Sequence, residues 1–458
     1  MLLKPETGTA EPEGKLFSKK EIRRLLVPVI AETLLSYLIG MADSVMVASA
    51  GEAAVSAVSL VDSISVLFIN VFQAFSAGGA AVCGQFLGAC NREKSRDSAV
   101  QMTVLMLVLS VVSSALLLIF QNGVIGVLFG SADAAVVENC GVYYHIVMYS
   151  VPFIALFNAG SALFMAVGDS RTPLVVSLIM NGINIIGNAV LIYVFKMGVA
   201  GVAIPTLVSR GIAMVIILAL AMRKSFTLNL RDIVRFRPDT GIMKNILNIG
   251  LPNGIENGMF QFGKLILMSL VSTLPTAAIT ANAIGNTIGS LHCSVGISAN
   301  RALITVISRC AGARDYRQAR WYMRYFLKIT YIWQGIANIL LTVAIPLILK
   351  IYNVSDETAR IATVIMLIHG ISSIFLWPAG FMLNTGMRAA GDSQFAMIIS
   401  TISMWLCRVG GAYLLVNGFG IGVVGVWIAW IVDWVFRIAF FVPRYLGHKW
   451  ETKAITGE

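Results

Sequence analysis

The sequence predicts an all-α membrane protein with about twelve transmembrane helices in two parallel-repeat six-helix bundles and a central cavity. Three observations carry that prediction. Hydrophobic residues make up 57% of the chain and charged residues 12%, with a mean hydropathy of +0.81, whereas charged residues alone form about a quarter of a soluble domain. The 458 residues divide into apolar runs of helical length without the period-two alternation of a barrel strand. The second half repeats landmarks of the first at a nearly constant spacing.

The first span, residues 25–48 (LLVPVIAETLLSYLIGMADSVMVA), is long enough to cross a hydrocarbon core of roughly 30 Å, yet carries Pro28, Glu32 and Asp43. An ionisable group inside a bilayer costs several kcal/mol unless it is neutralised, paired or hydrated, so this span does more than anchor. The remaining spans are expected at 54–87, 99–120, 139–166, 173–195 and 199–222, then at 247–271, 277–311, 327–350, 361–388, 393–416 and 421–442. The longest polar connection, RKSFTLNLRDIVRFRPDTGIMKN, separates them into two sets. The expected organisation is a cytoplasmic tail over 1–24, an N-lobe over 25–222, a cytoplasmic linker over 223–246, a C-lobe over 247–442 and a C-terminal tail over 443–458.

A net charge of +11 would suggest nucleic acid in a soluble protein. Here the basic residues cluster at 15–24, 92–96, 223–244, 309–324 and 444–453, which twelve spans place on one side. By the positive-inside rule both termini are cytoplasmic, and the chain is expected in the plasma (inner) membrane. The first apolar segment is full length, so no signal peptide is expected, and residues 1–20 read as a flexible lead. Six cysteines without a CxxC pair indicate free thiols and no metal site. No Walker pattern, nucleophile and base set, metal motif or signalling domain is present, so neither an enzyme, nor a receptor, nor a bound cofactor is expected.

The repeat is explicit. Pro28 and Glu32 match Pro252 and Glu256 at 224 residues, and so do Gly88-Ala89 with Gly312-Ala313 and Arg96 with Arg320. Gly168-Asp169-Ser170 match Gly391-Asp392-Ser393 at 223, and Gly198 and Gly201 match Gly422 and Gly425 at 224. Six spans per repeat is an even number, so both halves enter the membrane in one orientation, the parallel-repeat architecture of secondary transporters. In the loops, Gly is expected to end a helix and the following Asp and Ser to cap the next.

Counting about 1.5 Å per residue from the helix ends puts Asp43 roughly 27 Å into the membrane, Asn188 roughly 22 Å, Thr206 about 20 Å and Asn184 roughly 16 Å. A carboxylate, two amides and a hydroxyl offer oxygen ligands to a small hard cation, or a setting in which Asp43 loads and releases a proton. Used only as bridges between helices, the neutral groups would form ordinary bundle contacts. The matching positions of the second half are Leu267, Arg408 and Ala412 for Asp43, Asn184 and Asn188, so the site is asymmetric. Glu256 and Glu32 are candidates for the cavity or for substrate, with Lys264 or Arg301 the alternative partners of Glu256. Asp62 with Arg210 and Arg408 with Asp433 are expected pairs. His145, His292 and His369 show no ligand spacing and receive no role.

GMADSVMVASAGEAAVSAVSL, GQFLGACN, FMAVGDSRTPLVVSLIMNGINIIGNAVLIY and GVAGVAIPTLVSR, in that order and spacing, resemble the multidrug and toxic compound extrusion family, MATE. The resemblance implies a secondary active efflux transporter that exports organic cations or drug-like compounds in exchange for H⁺ or Na⁺ by alternating access. It also implies that Asp43, Asn184 and Thr206 belong to a proton- or sodium-linked site, with no cofactor beyond the coupling ion. Asn188 stands where some members carry a second aspartate, which leaves H⁺ and Na⁺ both open. One branch carries an acidic residue on the tenth helix, and IFLWPAGFMLNTGMR has none, which favours coupling in the N-lobe. The alternative reading is a flippase for a lipid-linked saccharide, which would place several basic residues in its cavity; Lys264, Arg301 and Arg408 are too few to favour it. Expected partners are small-molecule substrates and membrane lipid, with no nucleic acid, and a monomer is expected.

Overall fold

The computed structural model describes residues 14–48, 51–129, 133–352 and 354–455, and among them there are helices, turns and loops but no strand. The first repeat runs α1 (Lys19–Ala48), α2 (Glu52–Gly88), α3 (Arg92–Ile119), α4 (Gln121–Phe129), α5 (Ala134–Tyr149), α6 (Val151–Val167), α7 (Arg171–Ala189) and α8 (Ala200–Ala221). The second runs α9 (Thr240–Ser272), α10 (Thr276–Gly312), α11 (Tyr316–Val343), α12 (Ile345–Tyr352), α13 (Asp356–Phe375), α14 (Leu383–Ala389), α15 (Ser393–Ile402), α16 (Gly411–Tyr413) and α17 (Val423–Leu446). Eight of the described helical segments are long and apolar enough to cross a membrane, nine if α5 and α6, bent by 41° at Ser150, count as one span. Pro152 explains the bend, since it lacks the N–H that would continue the ladder and disfavours helical geometry just before it. Helices α1, α9 and α10 occupy the three remaining expected positions at 30, 33 and 37 residues.

The repeat seen in the residues recurs in the backbone. Helices α2 and α10 are both 37 residues long and α3 and α11 both 28. Asn91 caps α3 by accepting from Lys94 N at 3.0 Å, and Asp315 caps α11 by accepting from Gln318 N at 2.9 Å, each satisfying an amide that helix geometry leaves unpaired. In the turns before these caps the left-handed conformation falls not on Gly88 and Gly312, which remain helical, but on Cys90 (φ 58°) and Arg314 (φ 56°). The π-helical segments Val190–Val194 and Leu414–Gly418 sit at the same place in the two repeats. After Gly168 (φ 91°) Asp169 accepts from Arg171 N at 3.0 Å and Thr172 N at 3.2 Å, capping α7. Asp392 departs from the expectation: it takes Arg444 in a two-pronged ion pair, at 2.8 and 3.1 Å.

Two compact units emerge, one spanning Arg23–Gly254 and the other Ile255–Glu458 with the stretch that ends at Ile22. In the first, the polar connection folds back on α3, with Gln101 Nε2 donating to Arg237 O at 2.6 Å and Arg96 pairing with Asp232 at 3.1 Å. Within the second unit the described part of the N-terminal tail is docked, not a free lead. Leu16 N donates to Gln318 Oε1 at 2.9 Å, Phe17 N to the Tyr322 hydroxyl at 2.8 Å, and that hydroxyl donates back to Phe17 O at 2.7 Å. The expectation failed because it read the tail's polarity and not Phe17, whose ring meets Tyr322 edge-on at 6.1 Å. Residues 1–13 lie outside the described set.

Helix α11 shows how these helices are built for lipid. Ile332, Trp333, Ile336, Ile339, Leu340 and Val343 are exposed, while Thr330, Gln334 and Asn338 on the opposite stripe are fully buried. A soluble helix has the reverse pattern; in hydrocarbon the apolar face turns outward and polar side chains hold helices together.

Candidate functional site

The four polar groups picked out in the first repeat are joined by hydrogen bonds. Asn184 and Asn188 stand one turn apart on α7 and so share a face. Asn188 Nδ2 donates to Asp43 Oδ1 on α1 and, at 3.4 Å, to Asn184 Oδ1. Asn184 Nδ2 donates to Thr206 Oγ1 on α8 at 3.2 Å, and Thr206 donates to Val202 O at 3.0 Å. Close packing makes this possible: a Cβ at Gly187 would lie 2.7 Å from Pro205 Cβ, so glycine lets α7 and α8 approach beside Asn188 and Thr206.

Asn188 is fully buried, and its Oδ1 has no hydrogen-bond partner among the described residues. Asp43 is half-buried. With both Asn188 hydrogens committed, the groups around Asp43 keep an acceptor in reserve, an arrangement suited to a proton or a cation and not to an anion. Glu32 is half-buried on α1, about 16 Å along the helix from Asp43 and outside this set. Asp62 and Arg210 lie close enough for their charges to act on each other but make no direct ion pair. Tyr143 donates to Asp62 Oδ1 at 3.1 Å and Arg210 Nη1 donates to Ser150 Oγ at 2.7 Å, so each charge has a neutral partner.

The second repeat buries its charges differently. Asp433 on α17 accepts from Arg408, as expected, and also from Arg437 Nε at 3.0 Å and from Ser403. Glu256 on α9 is paired with Arg388, with Arg437 Nη1 at 3.8 Å and Asn384 Nδ2 at 3.4 Å, rather than with Lys264 or Arg301. Arg388 and Asn384 are one turn apart on α14, with Arg388 Nε donating to Asn384 Oδ1 at 3.0 Å. That i, i+4 spacing was the available signal for Glu256's partners. The aromatic residues Phe260 and Trp430 lie 4.8 Å from the Arg408 guanidinium, so a charged head with little hydration rests on ring faces.

Two of the histidines, which sequence spacing leaves apart, meet in the structure. Residues 77 apart, His292 on α10 and His369 on α13 bring their Nδ1 atoms to 3.1 Å. No group of three or more His, Cys, Asp or Glu side chains able to hold a metal is found among the described residues, and the six cysteines are free thiols.

A family model described as MatE matches residues 28–190 and again residues 252–414, two stretches offset by the 224 residues that relate Pro28 to Pro252. The chain is 26% identical over 442 residues to the probable multidrug resistance protein NorM of Thermotoga maritima, covering 95% of this chain and 94% of that one. It is 22% identical over 439 residues to the multidrug export protein MepA of Staphylococcus haemolyticus, covering 95% of each. The solved outward-facing conformation of a multidrug resistance MATE family transporter of the MOP superfamily superposes with a TM-score of 0.86, over 95% of this chain and 97% of that one, at 21% identity. That likeness speaks for the fold. With both halves matched by the model in register with the internal repeat, the chain belongs to the MatE family.

Proposed function

We propose that this transporter is a secondary active multidrug exporter, moving organic cations or drug-like compounds out of the cell in exchange for H⁺ or Na⁺ by alternating access, with Asp43 carrying the coupling ion. The observation that carries the reading is the hydrogen-bonded series from Asp43 through Asn188 and Asn184 to Thr206. It is one carboxylate whose hydrogen-bond partner is neutral and not a guanidinium, so its charge is free to change during a cycle. A proton would sit on Asp43 itself; a sodium ion would take the Asp43 carboxylate with amide and hydroxyl oxygens. The relatives named for multidrug resistance and multidrug export support the direction and a drug-like substrate. The basic clusters support a reading with both termini on the cytoplasmic side, and the proposed unit of transport is the monomer.

The test is efflux of a fluorescent organic cation from proteoliposomes, with proton and sodium gradients imposed separately. One gradient should drive efflux in the natural protein and fail to do so in Asp43→Asn. Efflux that proceeds with neither gradient, or at the normal rate in Asp43→Asn, would remove the assignment. Transport of a lipid-linked saccharide in place of the dye would favour the flippase reading.

A further inference from the structure

His292 and His369 lie in the second unit, remote in sequence from Asp43 and unused by the coupling scheme above. Their imidazoles are 1% and 3% exposed and nearly parallel, with ring centroids 5.3 Å apart. The line between the two Nδ1 atoms, 3.1 Å long, holds a single hydrogen, one ring donating and the other accepting.

Aromatic faces and unpaired acceptors lie beside the pair. Trp427, Trp430 and Trp434 hold their ring centroids 5.2 to 5.4 Å from that of His369, and indole faces attract cations. His292 Nε2 is buried without a hydrogen-bond partner among the described residues. A Cβ on Gly370 would lie 3.3 Å from that nitrogen and 3.3 Å from Thr342 Oγ1, so the missing side chain keeps the space between imidazole and hydroxyl open. Along α11, Thr330, Gln334, Asn338 and Thr342 recur every fourth residue. Gln334 and Asn338 spend their hydrogens on Ser373, at 2.9 and 2.6 Å, and their oxygens Gln334 Oε1 and Asn338 Oδ1 remain buried without partners among the described residues. Reserve acceptors and aromatic faces suit an imidazolium.

The charged group that bears on His369 is Arg408, from the π-helical segment after α15. It is bound by Asp433 of α17, which also holds Arg437. Lys264 of α9 and Cys293 of α10 lie near Arg408. The acidic and basic residues of α13, Asp356, Glu357 and Arg360, are exposed and at least two turns from His369, while Lys350 of α12 is exposed as well. Trp430 connects the two systems, with Arg408 4.8 Å from its ring centroid and His369 5.4 Å away.

We propose that His292 and His369 form a second proton-binding site, holding one added proton shared between the two imidazoles, and that its charge acts through Trp430 on the Arg408–Asp433 pair. The site takes a proton from hydronium, an O–H bond breaking as the N–H bond forms, and returns it to water by the reverse step. A charged pair competes with Arg408 for one indole and repels it, which loads the link to Asp433.

The histidine count makes a direct test available. The chain has four histidines, and the other two, His145 and His448, are exposed. In an H145Q/H448Q background, ¹⁵N-histidine spectra of the nanodisc-reconstituted full chain, recorded from pH 8 to pH 4 with a chelator present, report the pair alone. Expected is one transition in which both rings move together, each about half-way from neutral to imidazolium signals, with uptake of one proton per chain. A parallel loss of tryptophan fluorescence is expected, because an imidazolium quenches adjacent indoles; H292Q and H369Q should each abolish it and D43N should retain it. Signals that stay neutral to pH 4, two independent one-proton transitions, a transition that needs a metal ion, or quenching unchanged in both single variants would overturn the proposal. The spectra need no substitution in the pair, so a variant that fails to fold leaves the test intact.

Discussion

The first repeat gives its half-buried Asp43 carboxylate an amide partner, in a series that runs on to a second amide and a hydroxyl, and the second clasps its carboxylates in guanidiniums. Asp43 has Asn188 as its partner, whereas Asp433 has Arg408 and Arg437, and Glu256 has Arg388. The backbones share landmarks: caps at Asn91 and Asp315, left-handed turns at Cys90 and Arg314, and the π segments Val190–Val194 and Leu414–Gly418 coincide. A duplicated frame therefore fixes where helices begin and bend, and leaves the interior chemistry to a few substitutions, Asn184 against Arg408 and Asn188 against Ala412 among them. A carboxylate with neutral partners can change charge during a cycle, while a buried ion pair is costly to open.

The contrast is breakable, beginning with the largest effect. Asp43→Asn should lower gradient-driven efflux in proteoliposomes at least ten-fold while leaving the thermal unfolding midpoint in detergent nearly unchanged, since a neutral amide is cheaper to bury than a carboxylate. Asp433→Asn should do the opposite kind of damage. It strands two buried guanidiniums and should cost about 3–5 kcal/mol of stability, seen as a lowered unfolding midpoint; a midpoint unchanged in that variant would make the two repeats alike in function. Asn188→Asp places a second carboxylate beside the first, and the pH profile of efflux should split from one transition into two. An unaltered profile would put Asn188 outside the coupling site. Smallest is Lys196→Gly. Lys196 holds φ 53° where the second repeat has Gly420 at φ 66°, so glycine should stabilise the chain by about 1 kcal/mol in thermal melts.

Much of this was legible before any coordinates. Spacing and hydropathy located the helices, because span length is set by bilayer thickness and the repeat left matched Pro, Glu and Gly residues. Asp43, Asn184, Asn188 and Thr206 could be grouped because depth along a straight helix is arithmetic. Nothing of the kind links His292 to His369, since the spacing between two helices says nothing of which faces meet. Glu256 was assigned the wrong partners for a similar reason: Lys264 and Arg301 are nearer in sequence, while Arg388 and Arg437 arrive by packing. Asp62 and Arg210 met neutral partners that a search confined to charges ignores.

The docked tail has a consequence for how the protein is made. Phe17 is held by Tyr322, 305 positions later in the chain. At roughly 5–20 residues per second, synthesis leaves about 15–60 s between the appearance of the first residue and of the second. Throughout that interval residues 14–18 lack the helix that seats them, although α1, which follows at once, is complete. Residues made before the first repeat are thus placed only once α11 of the second repeat is present to seat them.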